Sequence, residues 1–292
     1  MGNHAKGLLR GLKVFLVAAA LVAVVPAVAS AAPYFSASGN MAFVRQGPGA
    51  AALPDGRVLV AGGVDGGTYY TSSEIYDPVT GTFTPGGSMS VGRYQPATAA
   101  LGDGRILVAG GFDGFTTLSS TEIYDPATGD FSPTGSMSIP RNSAMASSLP
   151  DGRVIVMGGS NASSTEIYDP DTGNFSPAGE MTVPRSIASA APLGDGRVLV
   201  AGGVSTGGST ATAEIYDPAT DTFSATGSMN TVRFGSAAAS LPGGRILVGG
   251  GSPSGPYLAS AEVYDPDTGT FSYTGSLPVS YTHLTLPTNR EV

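Results

Sequence analysis

The 292-residue chain has no cysteine and no tryptophan, only two histidines, and charged side chains at 12% of its residues, about half the usual share. Without cysteine there is no disulfide, no thiolate nucleophile and no Cys-ligated metal. The histidines are His4 and His283 and the lysines are Lys6 and Lys13. Everything from Val14 to Thr282 therefore lacks the side chains that His-dependent triads, imidazole metal sites and Schiff bases require. No cofactor is expected. The formal net charge is −8 and becomes more negative once Lys6, Arg10 and Lys13 are set aside, which argues against nucleic acid and anionic membrane surfaces as partners.

Glycine is abundant instead, at 43 residues with 22 prolines, close to the level at which a sequence without a period reads as disordered. The chain does have a period. Glu74-Ile-Tyr-Asp-Pro78 returns at Glu122, Glu166 and Glu214, and as Glu262-Val-Tyr-Asp-Pro266, at spacings of 48, 44, 48 and 48 residues. Asp55-Gly-Arg57 returns at Asp103, Asp151 and Asp195, and as Gly243-Gly-Arg245. Each is followed by an apolar run and a Gly pair: Gly62-Gly63, Gly110-Gly111, Gly158-Gly159, Gly202-Gly203 and Gly250-Gly251. With 41% hydrophobic residues, the repeats can bury a core.

Each unit reads as four strands. A small-residue strand a, such as 97–101, turns at Asp-Gly into an apolar strand b, such as 105–109. Strand c carries Glu-Ile-Tyr. Asp-Pro-x-Thr-Gly then makes a second hairpin into strand d, which begins at Phe83, Phe131, Phe175, Phe223 and Phe271. The fourth unit has Asp221 at the Gly position, and Asp tolerates the left-handed region. A four-stranded meander at this period is the pattern of a β-propeller blade. The order Gly-Gly, Tyr, then an aromatic seven positions later resembles the kelch repeat over Phe35 to about Leu277, with Phe where that pattern usually has Trp. The resemblance implies an all-β, kelch-type β-propeller with five four-stranded blades visible. Phe35–Met41 aligns with Phe83–Met89, so the body opens on an orphan strand d. Closing such a ring implies six or more blades in the complete protein, the sixth split between the two ends.

The ends differ from the body. Lys6, Arg10 and Lys13 precede an uncharged run from Val14 to Val28 and then Ala29-Ser30-Ala31. This reads as a cleavable secretory signal peptide over 1–31, the alternative being an uncleaved N-terminal membrane anchor. The expected location is secreted or at the cell surface. Residues 279–292 contain no glycine and no repeat signal, and 279–288 resemble a translated sequencing adapter. They are expected to be an artefactual tail, with the natural protein continuing past an incomplete propeller over 32–278.

Function is expected on the face carrying the b–c loops and d–a connections, because these vary between units whereas the a–b and c–d turns repeat. Tyr69, Tyr70, Phe112, Phe115 and Tyr257 in the b–c loops, with Tyr94 and Phe234, offer aromatic contacts. Arg45, Arg93, Arg141, Arg185 and Arg233 recur just before strand a. They either ring the channel mouth to bind an anionic ligand or form blade-linking ion pairs with the five Glu of strand c. The remaining carboxylates sit mostly in turns; Asp65 and Asp113 occupy matching loop places, with only composition to suggest a glycosidase pair. The copper radical chemistry of galactose-oxidase-like relatives needs His and Cys that this body lacks, so the resemblance carries the scaffold alone. The expectation is a non-catalytic module binding protein or carbohydrate, with the alternative that it is the N-terminal propeller of a larger surface protein or enzyme.

Overall fold

The computed structural model describes residues 38–276, and the expected leader over 1–31 and adapter-like tail over 279–292 lie outside the described residues. Five four-stranded antiparallel sheets form the blades of a β-propeller, and the described residues contain no helix. Blade 1 comprises Gly49–Ala52, Val58–Ala61, Ser72–Asp77 and Thr82–Ser88 as strands a to d. Blade 2 comprises Ala97–Ala100, Ile106–Ala109, Thr121–Asp125 and Asp130–Thr134. Blade 3 is Met145–Ser148, Val154–Met157, Thr165–Asp169 and Asn174–Ala178. Blade 4 is Ser189–Pro192, Val198–Ala201, Ala213–Asp217 and Thr222–Thr226. Blade 5 is Ala237–Ser240, Ile246–Gly249, Ser260–Asp265 and Thr270–Ser276. Short two-stranded ribbons also form within the b–c loops of blades 1 and 4.

The turn chemistry fixes the register. In the a–b hairpin of blade 1, Leu53 and Arg57 are linked by an amide-to-carbonyl bond of 2.8 Å, and Gly56 takes the left-handed conformation at φ 87°. The Asp55 carboxylate accepts from the Arg57 amide at 3.0 Å and from its Nε at 2.7 Å. In the c–d turn Asp77 Oδ1 accepts from the Val79 amide at 2.8 Å. This register sets Tyr76 opposite Phe83, with ring centroids 4.9 Å apart, and the same Tyr–Phe pair recurs in every blade at 4.9–5.0 Å. Phe at the expected Trp position thus packs on the cross-strand tyrosine, the geometry in which aromatic pairs add to area burial.

Strand b is apolar on both faces because it is sandwiched between neighbouring blades. One face of each blade packs on the opposite face of the next: Leu59, Ala61 and Ile75 of blade 1 cluster with Ile106, Val108 and Tyr124 of blade 2. The same layers recur between blades 2 and 3, 3 and 4, and 4 and 5. No cluster of this kind joins blade 5 to blade 1 among the described residues. The faces turned toward that joint, Val58, Val60 and Tyr76 on blade 1 and Leu247 and Val263 on blade 5, are only partly buried.

The expected orphan strand d is described from Ser38, and Ser38–Met41 has no strand assignment. It nevertheless occupies a strand-d position. Gly39 donates its amide to Gly81 O at 2.6 Å, as Gly135 does to Gly173 O and Gly227 to Gly269 O further round. Residues at the start of the inner strands, among them Gly49, Ala97, Met145, Ser189 and Ala238, surround a central channel of about 310 Å³.

Candidate functional site on the loop face

The five arginines are not ligand-facing. Arg45, Arg93, Arg141, Arg185 and Arg233 are 0–3% exposed, and each meets the strand-c Glu of the blade it leads into, at 2.9–3.1 Å. Arg141 shows the pattern. Nε and Nη2 donate to Glu166 Oε1, Nη1 donates to the carbonyls of Gly158 and Ser164, and Nη2 also donates to Ser164 Oγ. All five N–H groups are spent, leaving none for an anion. Burial pulls the pKa of Arg93 and of Arg185 below its ordinary value, opposed by the hydrogen bonds to Glu122 and Glu214.

The glutamate completes the link. Glu166 Oε2 accepts from the Ser138 amide in the d–a connection arriving from blade 2. The Arg141 carbonyl accepts from the Gly111 amide of blade 2 at 2.8 Å. A Cβ on Gly110 would run into that same carbonyl oxygen, which is why a Gly pair ends strand b. The ion-pair reading of the arginines is therefore the one the structure bears out, and the anionic-ligand reading is corrected.

The channel mouth is built by residues that sequence reasoning missed. Two positions after each arginine stand Gly47, Gln95, Ser143, Ile187 and Gly235, all in the left-handed region with φ between 52° and 64°. Their backbones link successive blades: Gln95 N–H to Gly47 O at 2.8 Å, Ser143 to Gln95 at 3.1 Å, Ile187 to Ser143 at 2.9 Å and Gly235 to Ile187 at 2.9 Å. A β-branched residue at such a φ is strained, and Ile187 is held there by its two neighbours. The signal in the sequence was glycine at this position in units one and five.

The seven aromatic candidates divide into three sets. Tyr69 packs edge-on against Phe112 at 5.6 Å, and Tyr70 covers the buried Arg45 guanidinium at 5.0 Å beside Phe43; the candidates Tyr69, Tyr70 and Phe112 thus support the loops. Phe115 is 90% exposed at the tip of a turn in which Asp113 Oδ1 accepts from the amides of Phe115 and Thr116. Those bonds, that to Thr116 first, hold the Asp113 carboxyl below its usual value, so its role is turn formation. Tyr94, Phe234 and Tyr257 line a cavity of about 420 Å³ with Gln95, Ile187 and the Ser252–Gly255 side of the loop. Burial, and then Tyr69, push the Tyr94 hydroxyl up, keeping it protonated.

A family model described as the Kelch motif matches residues 48–90, 93–138, 188–230 and 233–278. Blade 3 falls between these stretches; its repeat is four residues shorter in the b–c loop, yet it folds into the same four-stranded sheet. No curated protein matches the sequence.

Proposed function

The chain belongs to the kelch-repeat family, and on that premise we propose that it is a non-catalytic interaction module that takes a protein or carbohydrate ligand on its loop face. The reading is supported above all by the division of labour between the two layers of that face. The buried Arg–Glu pair recurs in all five blades, whereas the loops over it differ in length and carry the exposed Phe115 and Tyr257. Variable loops on a rigid scaffold are the usual seat of specificity, and exposed aromatics are the usual anchors of interfaces.

The basic, apolar and small-residue segments at the N-terminus support export, so the module acts outside the cell; the exported protein begins at or near Ala32. N-terminal sequencing of the secreted product checks this, and a product starting at Met1 refutes it. For the binding face, the test is a screen of the full chain against a glycan panel and extracellular proteins. A hit is expected to weaken about tenfold on Phe115→Ala or Tyr257→Ala, with the unfolding midpoint unchanged. A ligand indifferent to both substitutions but lost on altering the opposite turn face, for example Asp151→Arg, would place binding elsewhere.

A further inference from the structure

We infer that the cavity at the channel mouth receives a single uncharged hexose residue of a glycan, an inference that rests on the loop-face reading and narrows it. Its volume of about 420 Å³ lies in the range of small-molecule sites, about 300–1,000 Å³. None of its lining residues is charged. Among the described residues Tyr94, Phe234 and Tyr257 enter no ring–ring pair, unlike Tyr69 and Phe112, so their surfaces are available to the apolar C–H face of a pyranose.

The polar groups suit the hydroxyl edge of the same ring. Ser143 Oγ donates to Gln95 Oε1 at 2.5 Å, which fixes the amide and leaves its two N–H donors uncommitted. The tyrosine hydroxyls add donors and acceptors. The floor is preorganised, because Gln95 and Ile187 are locked at φ 52° and 55° by the links between blades, and a ligand need not order it.

The alternatives fit less well. A peptide adding along the mouth needs free backbone amides and carbonyls, and those of Gln95 and Ile187 are consumed in the inter-blade links. A sugar acid meets no cation among the lining residues, and Arg93, Arg185 and Arg233, which stand one or two positions before lining residues, have all five N–H groups committed.

The test titrates the full-length protein with galactose, glucose, mannose and, as the charged control, glucuronate, read by saturation-transfer NMR. At least one neutral hexose is expected to bind. Gln95→Gly, which suits φ 52° and so keeps the fold, and Tyr257→Ala are each expected to weaken it about tenfold, the loss of about one well-made hydrogen bond or stacking contact. Asp151→Arg, on the opposite turn face and outside the cavity lining, leaves hexose binding unchanged. The inference is overturned if no neutral hexose binds, if glucuronate binds as well, or if both cavity variants retain binding. A protein or peptide that binds the wild type, depends on Phe115 and ignores Gln95 leaves the loop-face reading standing while the hexose inference falls.

Discussion

At the scale of single residues, the chain uses its ten body arginines in two environments with opposite energetic weight. Arg185 and Glu214 are buried to 0% and 2% side-chain exposure, whereas Arg197 and Asp195 remain 38% and 49% exposed. Removing one partner of a buried pair strands the other in a medium that cannot solvate it, at about 3–5 kcal/mol; an exposed pair contributes less than about 1 kcal/mol. Arg185→Leu is therefore expected to lower the urea-unfolding free energy by about 3–5 kcal/mol and Arg197→Leu by less than about 1. Equal effects would contradict this assignment. Asp221 is a second case. Its left-handed φ of 54° suits the turn, but its carboxylate also accepts from the Tyr216 hydroxyl at 2.9 Å and from the Gly179 amide of blade 3 at 2.8 Å. The tyrosines of blades 3 and 5 use Thr134 and Thr226 of the preceding blade instead; blade 3 offers Ala178 at that place, and Asp221 substitutes for the missing hydroxyl. Burial, then the bond to Asp221, raise the Tyr216 hydroxyl above its ordinary value of 10.0. The neutral tyrosine is thus favoured in the folded state, and this contribution is complete below pH 10 and lost as the pH rises through the raised value. Stability should fall above pH 10 more steeply in the wild type than in Tyr216→Phe, as measured by urea midpoints across that range.

At the scale of strands and loops, the blade was legible because its determinants are local. Asp-Gly-Arg and Asp-Pro-x-Thr-Gly specify their own hairpins, and the Tyr–Phe offset of seven fixes the c–d register directly. The loop face was legible only in part. That Tyr70 would lie over Arg45, or that Arg141 would spend every donor on blade 3, depends on which groups the fold gathers from distant stretches of chain, and residue type alone does not encode it. The ring of left-handed residues lay hidden for the same reason: Gln95 and Ile187 have no intrinsic preference for that conformation, which is imposed by inter-blade hydrogen bonds. Backbone strain of this kind costs about 1–3 kcal/mol and collects at functional sites. Ile187→Gly, which restores the residue found in blades 1 and 5, is expected to stabilise the protein by about 1 kcal/mol, read as a higher urea midpoint at unchanged slope. A clear loss of stability instead would mean that Ile187 contributes more through packing than its φ of 55° costs.

At the scale of the whole propeller, stability is carried by joints rather than by blades, since each sheet buries its apolar faces only against its neighbours. Four joints are filled, and repeat-equivalent residues at a filled and at an unfilled joint allow a direct comparison. Leu199 in blade 4 is 1% exposed and packs on Ile246 and Val248 of blade 5. Leu247, 48 positions later and on the same face of strand b, has no such layer against it among the described residues and is partly exposed. Truncating the first leaves a cavity and costs about 3 kcal/mol, within the range of buried Leu→Ala substitutions. Truncating the second removes area already in contact with solvent and is expected to cost about 1 kcal/mol or less. The difference should appear in urea unfolding of Leu199→Ala and Leu247→Ala in the full chain. If Leu247→Ala proves as costly as Leu199→Ala, the face of blade 5 is covered in solution, and the ring is closed by an additional layer packed between blade 5 and the Val58–Val60 face of blade 1.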